Sequence, residues 1–334
     1  MTTPDATELD VLGLGNAIVD VLTEADDRTL ERLELAKGTM TLVDEARMAE
    51  LYGRVGPAVE VSGGSCANSM AALASLGGRA GYVGKVRRDQ LGEVFAHDIR
   101  AVGVEFRTPP LEQGPPTARC VILVTPDAQR TMATYLGACV ELGPDDVDEA
   151  RVAAARITYL EGYLWDRPNA KEACLKAAEL AHRHGRRVAL TLSDPFCVAR
   201  WRDEFADLIA RHVDIVIANE VEICSLYGAN SFDDVLEVVQ GESRIAALTR
   251  GADGSVIVAG DRTYALPAAP VAALVDTTGA GDLYAAGLLY GLTRDLPLTA
   301  CGRLGSLAAA HVLGHYGARA AHPLKPLVAA ASAA

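Results

Sequence analysis

The sequence predicts an α/β fold of three layers, a mostly parallel central sheet between helices, with a small β flap beside it. Two observations carry this. From residue 145 onward, short β-branched runs alternate with helical stretches. The runs are ITYLE (157–161), RVALTL (187–192), DIVIA (214–218), IAALT (245–249) and GSVIVA (254–259), and helices are expected at 169–184, 197–211, 219–226 and 231–240. Such alternation gives parallel strands joined by crossover helices that cover both faces. Residues 108–142 differ: two Pro pairs precede two β-branched runs joined by TPDAQR, a hairpin signal with no crossover helix, so a small antiparallel flap is expected. A chain of 334 residues, 50% hydrophobic, can bury a substantial core.

From the N-terminus, LDVLGLG (9–15) reads as a buried first strand. Its Gly13-Leu14-Gly15 is not a dinucleotide fingerprint, because Ile18 stands where the third glycine belongs, and no G-x-x-x-x-G-K-[ST] loop occurs. Asp20 interrupts the apolar run AIVDVL. A carboxylate there is either a surface residue at a strand end or a ligand for hydroxyls, and the sequence leaves both open. A polar helix (DDRTLERLEL), a strand-like GTMTLVD and a helix to about Tyr52 follow. Ser62-Gly63-Gly64-Ser65-Cys66-Ala67-Asn68 is a Gly turn opening a helix of small residues. Asn68 falls one turn in, facing the turn, as a polar cap on a packing helix also would. Residues 80–104 read as strand, loop and helix.

The most informative stretch is Asp276-Thr277-Thr278-Gly279-Ala280-Gly281-Asp282, running into LYAAGLLYG at helical spacing. Glycines let the backbone approach a ligand closely. A Gly-rich turn entering a helix points free N–H groups outward at the positive end of the helix dipole, which makes an anion site. A carboxylate one residue further suits proton abstraction from a hydroxyl that attacks a bound phosphate. In an open parallel sheet, ligands sit beyond the carboxyl ends of the strands. Asp194, Asn219, Arg250-Gly251 and the Gly turn all fall there.

Composition excludes several classes. With 31 Lys and Arg against 44 Asp and Glu, the net charge is -13, so a nucleic-acid surface is not expected. Seven scattered Cys without a C-x-x-C pair argue against a zinc site or disulfide framework and for a reducing cytoplasmic setting. MTTPDATELD has no basic stretch before an apolar core, and no run of about 18 apolar residues occurs, so neither a secretion leader nor a membrane helix is expected. His311 and His315 stand at i and i+4, but the Val-Leu-Gly between them offers no acid or base.

DTTGAGD resembles the C-terminal signature of the PfkB/ribokinase family of carbohydrate and nucleoside kinases. The Gly63-Gly64 pair, Asn68, and the glycines at 81, 84 and 92 with Asp89 resemble its N-terminal signature. The resemblance runs from GNAIVD to about Gly317. It implies a ribokinase-like fold as one domain over 1–334, with a lid from about 17–60 and 108–140 and an ATP-binding part at about 190–320. By the same resemblance, Gly279, Ala280 and Gly281 form the anion hole and Asp282 is the catalytic base. Asn219 and Glu222, an N-x-x-E pair, serve Mg²⁺, which favours oxygen ligands and water. Thr249, Gly251 and Gly254 lie near the ATP phosphates and ribose, and Ser306 flanks the adenine. Asp276 and Thr278, with backbone near Gly317, resemble a K⁺ site.

Ser65 stands where ribokinases carry a Lys. GNAIVD and GGSCANS look more like adenosine kinases, which implies a 5′-hydroxyl of a purine nucleoside, adenosine first, as acceptor. Asp20, Gly64 and Asn68 would then hold the ribose, with Asn16 and Glu161 also at the acceptor. A sugar such as ribose or fructose, another nucleoside (inosine or guanosine), and a non-catalytic nucleoside sensor are the alternatives. The partner expected is a small molecule, with no nucleic acid and no membrane; monomer and homodimer both stay open.

Overall fold

The structure, a computed structural model, describes residues 8–127, 129–240 and 244–332. Strand β1 (Leu9–Leu14) leads directly into β2 (Ile18–Glu24), which already belongs to a second sheet. Helix α1 (Asp27–Arg32), β3 (Met40–Leu42), α2 (Glu45–Arg54) and β4 (Val59–Gly63) follow. Helix α3 (Ser65–Ser75) returns the chain to the first sheet at β5 (Ala80–Val83), and α4 (Gln90–Ala101) leads to β6 (Glu105–Phe106). The hairpin β7 (Ala118–Val124) and β8 (Arg130–Tyr135) rejoins the second sheet.

The remainder alternates: α5 (Glu149–Ala154), β9 (Ala155–Glu161), α6 (Pro168–Arg183), β10 (Arg187–Thr191), α7 (Pro195–Arg200), α8 (Arg202–His212), β11 (Ile215–Asn219), α9 (Glu220–Tyr227), α10 (Phe232–Val239) and β12 (Ile245–Thr249). Strands β13 (Ser255–Ala259) and β14 (Arg262–Leu266) precede α11 (Ala280–Thr293), α12 (Leu298–Val312) and α13 (Lys325–Ser332).

The main sheet runs β14-β13-β12-β11-β10-β9-β1-β5-β6. It is parallel from β12 to β6, as crossover helices require, and antiparallel at β13 and β14. The connections at 250–254 and 260–261 are too short for a crossover and force the chain to turn back. Alternate residues feed two cores. Val11, Tyr159, Ala189, Ile217 and Ala247 face α3, α11 and α12, whereas Leu12, Leu160, Leu190, Val216 and Leu248 face α6, α8 and α9. Helices α11 and α12 cross closely because Gly287 and Gly305 meet; a Cβ on Gly287 would lie 2.7 Å from the Gly305 Cα. The expected helix at 197–211 is two helices, interrupted at Trp201, whose φ of -120° leaves the helical region.

The second sheet runs β3-β8-β7-β2-β4 and is mixed, which corrects the expected antiparallel flap. Pairs β7·β8 and β2·β4 are antiparallel, while β2·β7 and β3·β8 are parallel. Only the hairpin has a tight turn to fix its direction; β2 and β7 are nearly a hundred residues apart and pair through the core instead. One face, with Val19, Val21, Val121 and Leu123, packs with Leu30, Leu33, Met48 and Leu51 of the α1–α2 segment. The other gathers Ile18, Leu22, Cys120, Ile122, Val124 and Met132 into a cluster made of this sheet alone. Asp20 lies between Ile18 and Leu22 on that face. Among the described residues no helix is long and apolar enough to cross a membrane, and all seven Cys are free.

Candidate active site

Strand register places the predicted residues at one edge. Leu14 pairs with Leu160, Glu161 with Thr191, and Asn219 with Thr249, so Asn16, Glu161, Asn219 and Thr249 all emerge at the carboxyl ends of the parallel strands. The turn 276–281 brings the start of α11 to the same edge, in contact with α3.

Helix α11 begins without a side-chain cap, on Gly279 at φ 79°. That φ favours glycine, and a Cβ would also lie 2.8 Å from the Ala318 Cα. A Cβ on Gly281, by contrast, would meet open space. No packing within the protein requires glycine there, and the space beside it is open to a ligand. The first N–H groups of a helix lack partners four residues back; Ala280 N–H makes a long 3.4 Å bond to the Thr277 carbonyl, and Gly279 and Gly281 present donors at the positive end of a 14-residue helix.

Asp282 lies in the first turn of α11 and is held from α3. Ser65 Oγ donates to its Oδ1 at 2.6 Å and Asn68 Nδ2 to its Oδ2 at 3.0 Å. Desolvation raises the Asp282 pKa above the ordinary carboxylate range, while those two donors and the charge of Arg319 draw it down. A carboxylate can only accept, so the Asn68 amide nitrogen must face Asp282. The Asn68 Oδ1 is left buried and without a hydrogen-bond partner.

Asp20 stands on the second sheet within the electrostatic reach of Asp282, Arg319 and Arg130. Desolvation pushes its pKa up to about 7, with the Asp282 charge adding to the rise and Arg319 and Arg130 opposing it. Its carboxylate accepts no hydrogen bond from the described residues. The Gly63-Gly64 pair makes room for it: a Cβ on Gly63 would lie 2.3 Å from Asp20 Oδ2, and one on Gly64, at φ 95°, would lie 2.2 Å from the Asn16 carbonyl oxygen. Glu161 is buried and bonded, accepting from the Asn16 backbone N–H (3.3 Å), Asn16 Nδ2 (3.0 Å) and the Cys66 N–H (2.9 Å). It therefore supplies α3 with the cap its own Gly64 cannot. Burial lifts its pKa to about 7 despite those donors.

On the other side, Asn219 and Glu222 close a reciprocal capping box on α9. Glu222 N–H donates to Asn219 Oδ1 (2.8 Å), Asn219 N–H to Glu222 Oε2 (2.9 Å), and Asn219 Nδ2 to Glu222 Oε1 (2.7 Å). Glu222 is 6% exposed, and desolvation with the charges of Asp194 and Asp282 lifts its pKa to about 7. A buried carboxylate among carboxylates, with oxygen donors beside it, suits a hard divalent cation. Thr249 ends β12, and Gly251 (φ 57°) and Gly254 (φ 89°) shape the turn into β13. Ser306 is buried in α12.

Asp276 has its Oδ1 crowded and its Oδ2 singly bonded. Oδ1 accepts from Thr278 N–H (2.9 Å) and Thr278 Oγ1 (2.7 Å), Oδ2 accepts from the Gly317 N–H (2.9 Å), and Arg130 Nε lies 2.7 Å from Oδ1.

Three residues were not singled out from the sequence. Ser65 opens α3, Arg130 opens β8 in the hairpin, and Arg319 follows α12. Arg319 donates to the Ser62 carbonyl and hydroxyl oxygens and to the Ala67 carbonyl, which fixes the entry to α3 beside Asp20. A lone serine or arginine carries no spacing signal, so only the fold could bring them in.

A sequence model described as pfkB family carbohydrate kinase matches residues 39–325. Aminoimidazole riboside kinase of Salmonella typhimurium is 32% identical over 241 residues, which is 70% of this chain and 74% of that protein. Among solved structures, adenosine kinase from Sinorhizobium meliloti superposes with a TM-score of 0.89 at 52% identity, covering 98% of this chain and 100% of the other. A probable sugar kinase from Rhizobium etli gives 0.91 at 50% identity, covering 98% and 99%.

Proposed function

Because the chain belongs to the pfkB family of carbohydrate kinases and is a phosphotransferase acting on a hydroxyl group, we propose that its acceptor is the 5′-hydroxyl of a purine nucleoside, adenosine first, with ATP as donor. The observation that carries this is a pair of oxygen acceptors without donors, the Asp20 carboxylate and the buried Asn68 Oδ1, beside an apolar sheet face. A ribose diol supplies two O–H donors. A planar base supplies the apolar area that Ile18, Cys120, Ile122 and Met132 can cover. The likeness to the Sinorhizobium meliloti adenosine kinase supports the same reading.

The chain's own residues then divide the work. Asp282 takes the proton of the attacking hydroxyl, and desolvation, by raising its pKa, makes it a better acceptor. Ser65 and Asn68 fix both of its oxygens, so it enters the reaction already oriented. The N–H groups of Gly279, Ala280 and Gly281 stabilise charge on the transferring phosphoryl group. Mg²⁺, held at Asn219 and Glu222, would neutralise phosphate charge when bound. Enclosure by the second sheet keeps water from the donor. Seven unpaired cysteines suit a reducing cytoplasm.

A free sugar is the second reading, favoured by the name of the Rhizobium etli neighbour. Rates on adenosine, aminoimidazole riboside, inosine, ribose and fructose separate the two. Nucleosides should lead in kcat/KM, and Asp20→Asn should weaken nucleoside binding about ten- to a hundredfold while leaving ATP binding nearly unchanged. Free sugars outrunning every nucleoside would overturn the nucleoside assignment.

A further inference from the structure

We propose that Arg130 is the resident counter-cation of Asp276, standing where the family resemblance expects a monovalent metal ion, so that K⁺ is dispensable here and the anion-hole turn is ordered through the β7–β8 hairpin. An ionised carboxylate offers about four lone-pair positions. On Asp276 the Thr278 N–H and hydroxyl take both positions of Oδ1, with the Arg130 Nε ion-paired to the same oxygen, while Oδ2 accepts the Gly317 N–H. Its side chain is 1% exposed and that of Arg130 17%, so water screens the pair little. A K⁺ ion seated on Oδ1 would face a guanidinium 2.7 Å from the same oxygen and would have to displace it. The crowded Oδ1 side of Asp276 therefore already holds an internal cation.

The placement gives the pair a mechanical meaning. Arg130 opens β8, and its cross-strand partner is Val124, at the far end of β7 from the β2–β4 contact with Gly63. Asp276 is tied through Thr278 to the residue before Gly279, and through Gly317 to the segment that crowds Gly279 at Ala318. Val275 N–H also bonds the Leu313 carbonyl at 2.8 Å. One ion pair thus joins the hairpin, the turn before the anion hole and the loop after α12. Where a bound metal ion would order this turn whatever the position of the hairpin, Arg130 orders it only when the hairpin is down. The same guanidinium contributes to the charge environment of Asp20.

The test uses the full chain with KCl against choline chloride at constant ionic strength. Wild-type turnover and the melting temperature of the ligand-free protein should be the same in both salts. Arg130→Gln should acquire K⁺ dependence, with turnover rising at least about fivefold in KCl. Its ligand-free form should melt higher in KCl than in choline chloride. Arg130→Lys, which keeps a cation on β8, should remain indifferent. Hydrogen exchange provides a readout free of turnover: amides of residues 277–281 should exchange faster in Arg130→Gln than in wild type, and KCl should slow them again. A wild type stabilised and activated by K⁺ to the same extent as Arg130→Gln would overturn the proposal. So would an Arg130→Gln protein whose melting and exchange ignore K⁺.

Discussion

Two helices start at the same sheet edge and begin in opposite ways. Helix α9 satisfies itself: Asn219 and Glu222 cap its first turn reciprocally, using backbone and side chain alike. Helix α11 begins on Gly279 with no cap, and Gly281 faces open space. Its neighbours are finished too, α7 by Asp194 and α3 by Glu161. The start of α11 is half-buried to exposed, so its N–H groups are open to a ligand, and the proposed function seats the phosphoryl group there. Asp282, oriented by Ser65 and Asn68, stands at that end. In the proposed function the finished helix serves a cation through its carboxylate and the unfinished one a phosphoryl group through its N–H groups.

The most severe way to break this contrast is at Asp282. Asp282→Asn keeps the shape of the α11 entry and removes the base, so nucleoside and ATP should bind within a few-fold of wild type. Single-turnover transfer should fall by about 10²–10⁴, in kcat rather than KM. Near-wild-type kcat would mean that another group takes the proton.

Glu222 gives a smaller effect on the finished side. Its pKa, about 7 in the folded protein against 4.5 ordinarily, means that folding favours its protonated form. Stability from this group is greatest below about pH 4.5, is lost as pH rises to about 7, and stays lost above that, by on the order of 3 kcal/mol. Glu222→Gln should flatten that part of the pH profile when denaturant melts are run without Mg²⁺. Mg²⁺ should stabilise wild type above pH 7 more than the variant. Parallel profiles for the two proteins would remove Glu222 as a strained carboxylate.

Gly281→Ala is the gentlest probe. The helix should gain up to about 1 kcal/mol from the better helix former, since nothing crowds the new Cβ. Transfer should nonetheless slow about ten- to a hundredfold, because the methyl group holds the phosphoryl group off the N–H donors. A variant that is both more stable and fully active would make Gly281 an ordinary helix glycine.

How much of this the sequence disclosed follows from what local patterns can encode. The α/β alternation and the Gly turn into α11 are contiguous signals, and the structure holds them where the periodicity placed them. The D-x-x-G part of the family signature is explained by folding alone: Asp89 caps α4 at the Gly92 N–H (2.8 Å), and a Cβ on Gly92 would lie 1.9 Å from the Arg87 carbonyl oxygen. Asn219-x-x-Glu222 was legible as a motif, although its first service is to cap a helix. What stayed hidden depends on long-range pairing. The parallel β2·β7 contact, the edge strand β14, and the arrival of Arg130 and Arg319 beside Asp20 all join segments far apart in sequence. Glu161 looked like an acceptor contact from its place at a strand end, but only the fold shows its oxygens spent on Asn16 and Cys66.

The central claim is that the bare start of α11, not the capped start of α9, receives the phosphoryl group. It is tested most directly by amide NMR of protein labelled at Gly, Ala, Val and Glu, titrated with adenosine, Mg²⁺, ADP and aluminium fluoride as a mimic of the group in flight. The Gly279, Ala280 and Gly281 amides should shift strongly on adding the fluoride to the preformed ADP complex, while those of Val221 and Glu222 move little. Unchanged resonances at 279–281, with the response confined to the first turn of α9, would contradict the account.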